Sequence, residues 1–523
     1  MITGINNIGL AKAALVALAL ALNGAAYAQT TQPNPPSEPS MEERVHALIP
    51  DLEAYIASGM KAFDVPGLAI GIVAGDKLIY AKGFGVRSKG SGAPVDTRTV
   101  FQIGSTTKAF LATTLAIMVD RGKLRWDDRV VDLDPDFQLK DPWVTREFRV
   151  FDLLAQRSGL PPYANDMLGL LGTGQAGLIR SLRYVESVSS FRSTFAYTNI
   201  THLLAGRIVA KAAGAADGDT VLNQEQLEPL GMKDSSYTAE AIMAAANHAE
   251  GYRWTPDGTI EVPFTQLFPY DFGGAGDINS TIEDMARWVR LQLGNGSFEG
   301  RRIVSPENLA FTRTPKVAIS DNVFYAFGWV IQQTPNGTII WHNGGTSSFG
   351  AFVGTVPDKD VGVIVLTNEV NMGLPDAVGL WTFDRILENP EIDHVADKLK
   401  AARSSFESDA KLFAKPASPR PFPALEPLTG SFTNPSFGEA AVTLDSDALV
   451  IEFPTMGARL KLEPWDGDVF TAKLMPVGRS AAVAENLGPL PNGFVQFQID
   501  KDAKLNLLRL SLGDGQAYEF TRE

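Results

Sequence analysis

Hydrophobic positions along the chain follow two periods, and the switch between them outlines the fold. From Met41 to Phe63, Val45, Leu48, Ile49, Leu52, Tyr55 and Ile56 recur at helical spacing and predict a helix. Two strand-like runs follow, GLAIGIVAGD and KLIYAKGFGV, joined at a Gly-Asp turn. From about residue 101 to 310, helical patterns alternate with Gly/Pro loops. Strand patterns return in YAFGWVIQQ, GTIIWHNGG, SFGAFVGTVP and VGVIVLTNE, and AVGLWTFDRILE reads as a closing helix. Strands at both ends with helices between them predict an α+β domain whose sheet is completed by its two ends.

The flanks differ in character. KPASPRPFPALEPL carries five prolines and predicts a linker over residues 401–425. Residues 426–523 hold short alternating runs such as AVTLDSDALVIEF and KLNLLRLSL between Gly, Asp, Asn and Pro, which predict a small antiparallel β domain without a catalytic constellation. At the other end, Lys12, the apolar run Ala13–Leu22 and Ala26-Tyr27-Ala28 read as a secretory signal over residues 1–28. The apolar run is short for a membrane span, although a retained N-terminal anchor is the other reading. A Pro/Ser-rich tether, residues 29–40, leads to a catalytic domain expected over residues 41–400. The expected location is periplasmic or secreted, with no stable membrane insertion.

Composition narrows the chemistry. At 523 residues the chain is long enough for two or three structural units. Its formal net charge of −14 disfavours nucleic acid as a partner. The absence of cysteine removes disulfides, thiolate nucleophiles and thiolate metal sites. Five histidines without an H-x-x-x-H spacing argue against a His-rich metal site.

Three stretches can do chemistry. In FQIGSTTKAFLATTLAIMVDRGKL, Gly104 provides a turn and a helical pattern begins at about Ser105, with Leu111, Leu115 and Met118 on one face. Ser105 and Lys108, three apart, share a face. A serine hydroxyl becomes a nucleophile when a neighbouring base takes its proton, and a lysine can be that base when burial lowers its pKa. In STFAYTNITHLL, Tyr197 and Asn199 precede an apolar helix. A phenol beside a lysine ammonium can lose its proton more easily and shuttle it, and an asparagine can hold a lysine or a substrate carbonyl. In TIIWHNGGTSSFGAF, His342 precedes Gly344 and Gly345, where the backbone can approach a ligand and offer an oxyanion donor. Each stretch also has a plain structural reading: an N-cap serine with a solvated lysine, a half-buried tyrosine with an N-cap asparagine, and a core or surface histidine.

Together, in this order, the stretches resemble the serine β-lactamase and penicillin-binding-protein-like superfamily, above all its class C β-lactamase-like group of D-aminopeptidases, esterases and peptidases. Ser-x-x-Lys is matched by Ser105 and Lys108, Tyr-x-Asn by Tyr197 and Asn199, and His-x-Gly by His342 and Gly344. FDLLAQRSGLPPY, LEPLGMKDSSY, AGDINSTIEDMARWV and YAFGWVI are similar to further family stretches, and the likeness covers roughly residues 41–390. It implies an antiparallel sheet flanked by helices, a mostly helical subdomain, and a barrel-like C-terminal domain that in some members covers the active site or supports oligomers. It also implies Ser105, Lys108 and Tyr197 as catalytic residues, with Asn199, His342, Gly344 and Gly345 serving substrate or oxyanion. No metal or organic cofactor is implied, and a homo-oligomer is compatible.

Two departures matter. His342 stands where β-lactamases carry lysine, which weakens the grip on a carboxylate and favours peptidase or esterase chemistry. Gln156-Arg157 replaces the more usual His-Thr, with no functional account from sequence. The expected function is an exported serine hydrolase that cleaves amide bonds of short peptides through a Ser105 acyl-enzyme. The alternatives are a carboxylesterase, a β-lactamase, and a non-catalytic penicillin-binding or sensing protein.

Overall fold

The computed structural model describes residues 39–502, 504–513 and 516–523. The expected signal segment and all but the last two residues of the tether lie outside the described residues. α1 spans Met41–Phe63 and buries Val45, Leu48, Leu52 and Ile56 on one stripe, as the spacing predicts. The main sheet contains β1 (Gly67–Ala74), β2 (Lys77–Gly85), β3 (Val317–Ser320), β4 (Val323–Tyr325), β5 (Val330–Thr334), β6 (Gly337–Gly345), β7 (Gly350–Val356) and β8 (Val361–Thr367). Its order is β2-β1-β8-β7-β6-β5-β4-β3, and every neighbouring pair is antiparallel. β1 therefore closes the sheet against β8, with Leu68 opposite Thr367 and Ala74 opposite Val361.

The run YAFGWVIQQ does not form one strand. Ala326 N–H donates to Trp329 O at 2.8 Å, and Gly328 takes a left-handed φ of 71°, so the chain turns between β4 and β5. A Cβ on Gly328 would lie 2.5 Å from the Lys108 carbonyl carbon. The glycine thus permits both the turn and the close approach to the helix that carries Lys108.

Helices cover both faces of the sheet. α2 (Thr107–Asp120) and α5 (Ile282–Leu293) lie on the side of Val353, Ile364 and Leu366. α1 and α6 (Leu374–Leu387) lie on the side of Phe352, Val363 and Val365. With both faces covered, β7 and β8 are buried throughout and read as continuous apolar runs. The expected one-sided apolar face of α2 is also widened: every residue from Thr107 to Met118 is buried, because the helix runs between the sheet and the helical subdomain. Phe110 stacks on Trp288 at 4.0 Å and Trp288 on Trp329 at 5.6 Å, which fixes α2 against the sheet. The hydroxyls of Thr113 and Thr114 donate to the carbonyls of Ala109 and Phe110, so neither is an unpaired polar group in the core.

Two further helices organise the helical subdomain around the site, the short α3 (Asp166–Leu170) and α4 (Ile200–Ala213). Helix α7 (His394–Leu412) runs through residue 400 into the segment expected as linker. The C-terminal strands β9 (Gly430–Asn434), β10 (Gly438–Asp445), β11 (Ala448–Phe453), β12 (Ala458–Asp466), β13 (Val469–Leu474), β14 (Gly493–Ile499), β15 (Leu505–Leu512) and β16 (Ala517–Arg522) form a closed antiparallel barrel. A helix the sequence pattern did not show, α8 (Ala481–Leu487), fills the connection from β13 to β14. Residues 41–523 form one compact unit. Tyr518 Oη donates to Asn165 Oδ1 at 3.1 Å, and a Cβ on Gly172 would lie 2.8 Å from Met456 O, so the barrel rests on the helical subdomain. Among the described residues, no helix is long and apolar enough to cross a membrane, and no group of three or more His, Asp or Glu could hold a metal ion.

Candidate active site

Ser105 sits at the point where the chain enters α2. Gly104, with φ 52°, opens a 3-10 turn over Gly104–Thr106 before the α-helix begins at Thr107. This turn leaves the Ser105 N–H in the first helical turn, where intrahelical acceptors are lacking. Lys108, one turn on, is fully buried, and its Nζ lies 3.0 Å from Ser105 Oγ. Nζ also lies 2.7 Å from Asn199 Oδ1 and 2.6 Å from Ala275 O.

Those two oxygens can only accept, so they take two N–H bonds. A neutral amine then has its lone pair left for the Ser105 hydroxyl. Burial supplies the neutral form by lowering the Lys108 pKa to about 7, against a smaller opposing effect of Asp166. The solvated-lysine reading is thereby excluded.

Asn199 directly precedes α4, but its side chain makes no cap hydrogen bond. Its Oδ1 receives Lys108, and its Nδ2 donates to Asp166 Oδ2 at 2.6 Å. Asp166 belongs to α3, and no sequence pattern singled it out. Tyr197 places its ring 4.8 Å from Lys108 Nζ, and its hydroxyl has no hydrogen-bond partner among the described residues. Burial drives the Tyr197 pKa well above 10, with the nearby Ser105 hydroxyl partly offsetting it. The expectation that this phenol loses its proton easily is therefore reversed: lysine is the group that burial neutralises by deprotonation, and tyrosine stays protonated.

Gln156, the unexplained departure, has a clear role. Its Oε1 accepts from Thr198 N and Thr198 Oγ1 at 2.7 and 2.9 Å, and its Nε2 donates to Thr198 O at 3.1 Å. This clamp holds the residue between Tyr197 and Asn199. Arg157 donates to Lys316 O at 3.0 Å.

β6 brings the third stretch alongside Ser105. His342 Nδ1 donates to Asn343 O at 2.5 Å, leaving Nε2 to accept from Tyr325 Oη at 3.0 Å. Burial, helped by Lys108, lowers the His342 pKa to about 3, so the ring is neutral. Tyr325 lies in the quoted YAFGWVI stretch, but its role depends on the fold. Thr346 N donates to Phe349 O, so the alternation of the antiparallel ladder turns the Gly345 N–H away from β7. Asn371 Nδ2 donates to Gly344 O and to Asp376 Oδ2, and Asn343 Nδ2 donates to Asp376 Oδ1, bracing the strand end.

The glycines allow the two segments to touch. A Cβ on Gly344 would lie 1.9 Å from Ile103 O and 3.2 Å from Ser105 N. Gly344→Ala is therefore expected to slow fluorophosphonate labelling of Ser105 at least ~100-fold by pushing the two donor segments apart. An unchanged labelling rate would show that this contact does not set the site's geometry.

Ser105, Asp166, Tyr197, Asn199, Tyr325, His342 and Gly345 all line one cleft of about 740 Å³. Its walls include Met167, Leu170, Phe268 and Phe272, and α8 of the barrel contributes Val483, Asn486 and Leu487. Among the described residues lining it there is no lysine or arginine.

Comparisons with known proteins agree with this architecture. The chain is 25% identical over 479 residues to an unguisins hydrolase of Aspergillus campestris, covering 85% of this chain and 87% of that protein. It is 27% identical over 381 residues to penicillin-binding protein 4 of Amycolatopsis lactamdurans, covering 70% and 93%. An octameric penicillin-binding protein homologue from Pyrococcus abyssi shares the fold with a TM-score of 0.58 at 22% identity, over 91% of this chain and 100% of that one. Residues 414–522 match a domain of unknown function, DUF3471. Residues 52–382 match the β-lactamase family, and with that match running over most of its length the chain belongs to this family of serine hydrolases.

Proposed function

We propose that the protein hydrolyses amide bonds of short peptides through an acyl-enzyme on Ser105. The neutral Lys108 amine takes the Ser105 proton as Oγ attacks the scissile carbonyl. The N–H groups of Ser105 and Gly345 stabilise the oxyanion. The protonated Tyr197 phenol gives its proton to the departing amine and recovers one through Lys108. Water then attacks the acyl-enzyme, and its proton passes to the Lys108–Tyr197 pair. That pair returns a proton to Ser105 Oγ as the C–O bond to the acyl group breaks, which releases the carboxylic acid and restores the free serine. Asn199 holds Lys108, and Tyr325 holds His342.

The observation that carries the substrate class is the charge of the cleft. Lys108 lies beneath Ser105, His342 is neutral, and no lysine or arginine is among the described lining residues. Nothing there clamps a carboxylate, which a β-lactam or a peptide's C-terminal end presents. The reading is therefore an amidase or peptidase for peptides that need no free carboxylate near the scissile bond, and the likeness to a protein named as a hydrolase supports hydrolysis as the reaction. The signal-like first 28 residues support export to the periplasm or medium, which cell fractionation tests.

A panel of short-chain nitrophenyl esters, D- and L-aminoacyl anilides, blocked linear peptides and a chromogenic cephalosporin tests the substrate class. Anilides or blocked peptides are expected to show the highest kcat/KM relative to their uncatalysed rates, and the cephalosporin the lowest. Turnover confined to esters would establish the carboxylesterase reading, and a cephalosporin at the top would establish a β-lactamase.

A further inference from the structure

The barrel does more than cover the cleft. Helix α8 presents Val483, Asn486 and Leu487 to it, positions at i, i+3 and i+4 that share one helix face. Val483 and Leu487 extend the apolar wall begun by Met167, Leu170, Phe268 and Phe272. Asn486 breaks that wall. It is only 6% exposed, yet neither Oδ1 nor Nδ2 has a hydrogen-bond partner among the described residues. A buried carboxamide left unpaired on both atoms costs stability that a leucine there would avoid. By contrast, Asn165, another buried asparagine near the barrel contact, uses both Nδ2 and Oδ1 in hydrogen bonds.

We propose that Asn486 binds the substrate by pairing its carboxamide with the backbone N–H and C=O of one extended residue of the peptide. This rests on the peptide reading of the Ser105 site. A carboxamide offers one acceptor and one donor side by side, as the N–H and C=O of a single extended residue are, so Asn486 can satisfy both of those backbone groups at once. An ester unit has no N–H and leaves Oδ1 unpaired. A site built around a buried hydrogen-bonding group discriminates against the analogue that lacks the matching group. The barrel thereby supplies a specificity residue to a catalytic centre carried by the other domain, which gives a physical reason for fusing the two.

The test uses the full chain, an alkyl fluorophosphonate, and two peptidyl diphenyl phosphonates. One of the pair is acetyl-Ala-Ala-Ala and the other is its twin with the backbone amides N-methylated. All three label Ser105 without requiring turnover. The wild-type protein is expected to react with the unmethylated probe at least ~10-fold faster than with its twin. Asn486→Leu is expected to remove that preference and to leave alkyl fluorophosphonate labelling within ~2-fold. Its Tm is expected to rise, because an orphan polar group has been replaced by an apolar one. Asn486→Ser, which keeps a smaller polar group, should fall between the two in preference.

Wild-type preference retained in Asn486→Leu overturns the proposal. So does an equal loss toward all three probes together with a lower Tm, which would make Asn486 structural. The two readings separate cleanly. If blocked peptides are turned over while Asn486→Leu keeps the preference, the amide-pairing role fails alone. If only esters are turned over while the preference depends on Asn486, the peptide-hydrolase reading fails and the amide-pairing role stands.

Discussion

Ser105→Ala is expected to abolish labelling by an alkyl fluorophosphonate and to lower kcat/KM at least ~10⁴-fold on whichever panel substrate is best. The size of the effect follows from the geometry. Within the site, Ser105 Oγ is the hydroxyl held 3.0 Å from Lys108 Nζ while its own N–H lies beside the Gly344–Gly345 backbone. Tyr197 cannot replace it as nucleophile, because its phenol stays protonated. The fold should survive the change. Lys108 keeps Asn199 and Ala275 as partners, so only one hydrogen bond is lost, at a cost of about 1 kcal/mol. Circular dichroism and Tm separate loss of the nucleophile from loss of structure. A Ser105→Ala protein that still labels and turns over at the wild-type rate would end the assignment.

The second large effect concerns the base. Lys108→Met is expected to lower kcat/KM ~10³-fold or more, because a thioether cannot accept the Ser105 proton. In the wild-type protein, kcat/KM should rise with pH through about 7, the value to which burial brings this amine. Roughly half of the molecules then hold the neutral base at pH 7. A profile that falls as pH rises through 7, or a Lys108→Met variant as fast as wild type, would exclude the amine as base.

Stability reports the same group. Lys108 has an ordinary value of 10.5 and a folded value of about 7, so between these pH values the unfolded chain binds a proton that the folded chain does not. Stability therefore rises with pH across that window, from about 7 to 10.5. Lys108→Met should lose this component of the slope in denaturation curves measured from pH 7 to 10.

The sequence by itself determined most of the elements, the completion of the sheet by the two ends of the domain, and an antiparallel β tail whose barrel form the family resemblance implied. It also singled out the residues proposed for the site. Helical and strand periods are local properties, and Ser105–Lys108 is one helical turn, so that pairing needs no tertiary information. Tyr197, Asn199 and His342 were legible because each stands beside a helix entry or a glycine pair that can place a side chain or backbone group.

The tertiary structure alone decided the rest. YAFGWVIQQ became two strands because Gly328 must pass α2, and α2 became buried all round because a second layer covers it. Helix α8 was hidden in a stretch whose burial depends on the catalytic domain opposite. Asp166, Asp376 and Asn486 carry no local mark, and the family likeness marked Gln156 and Tyr325 without giving them a role, since each acts on a residue or a cleft distant in sequence. The protonation states were decided there too. A lysine, a tyrosine and a histidine have ordinary pKa values in an unfolded chain, and removing them together from water makes the amine and the imidazole neutral while keeping the phenol protonated.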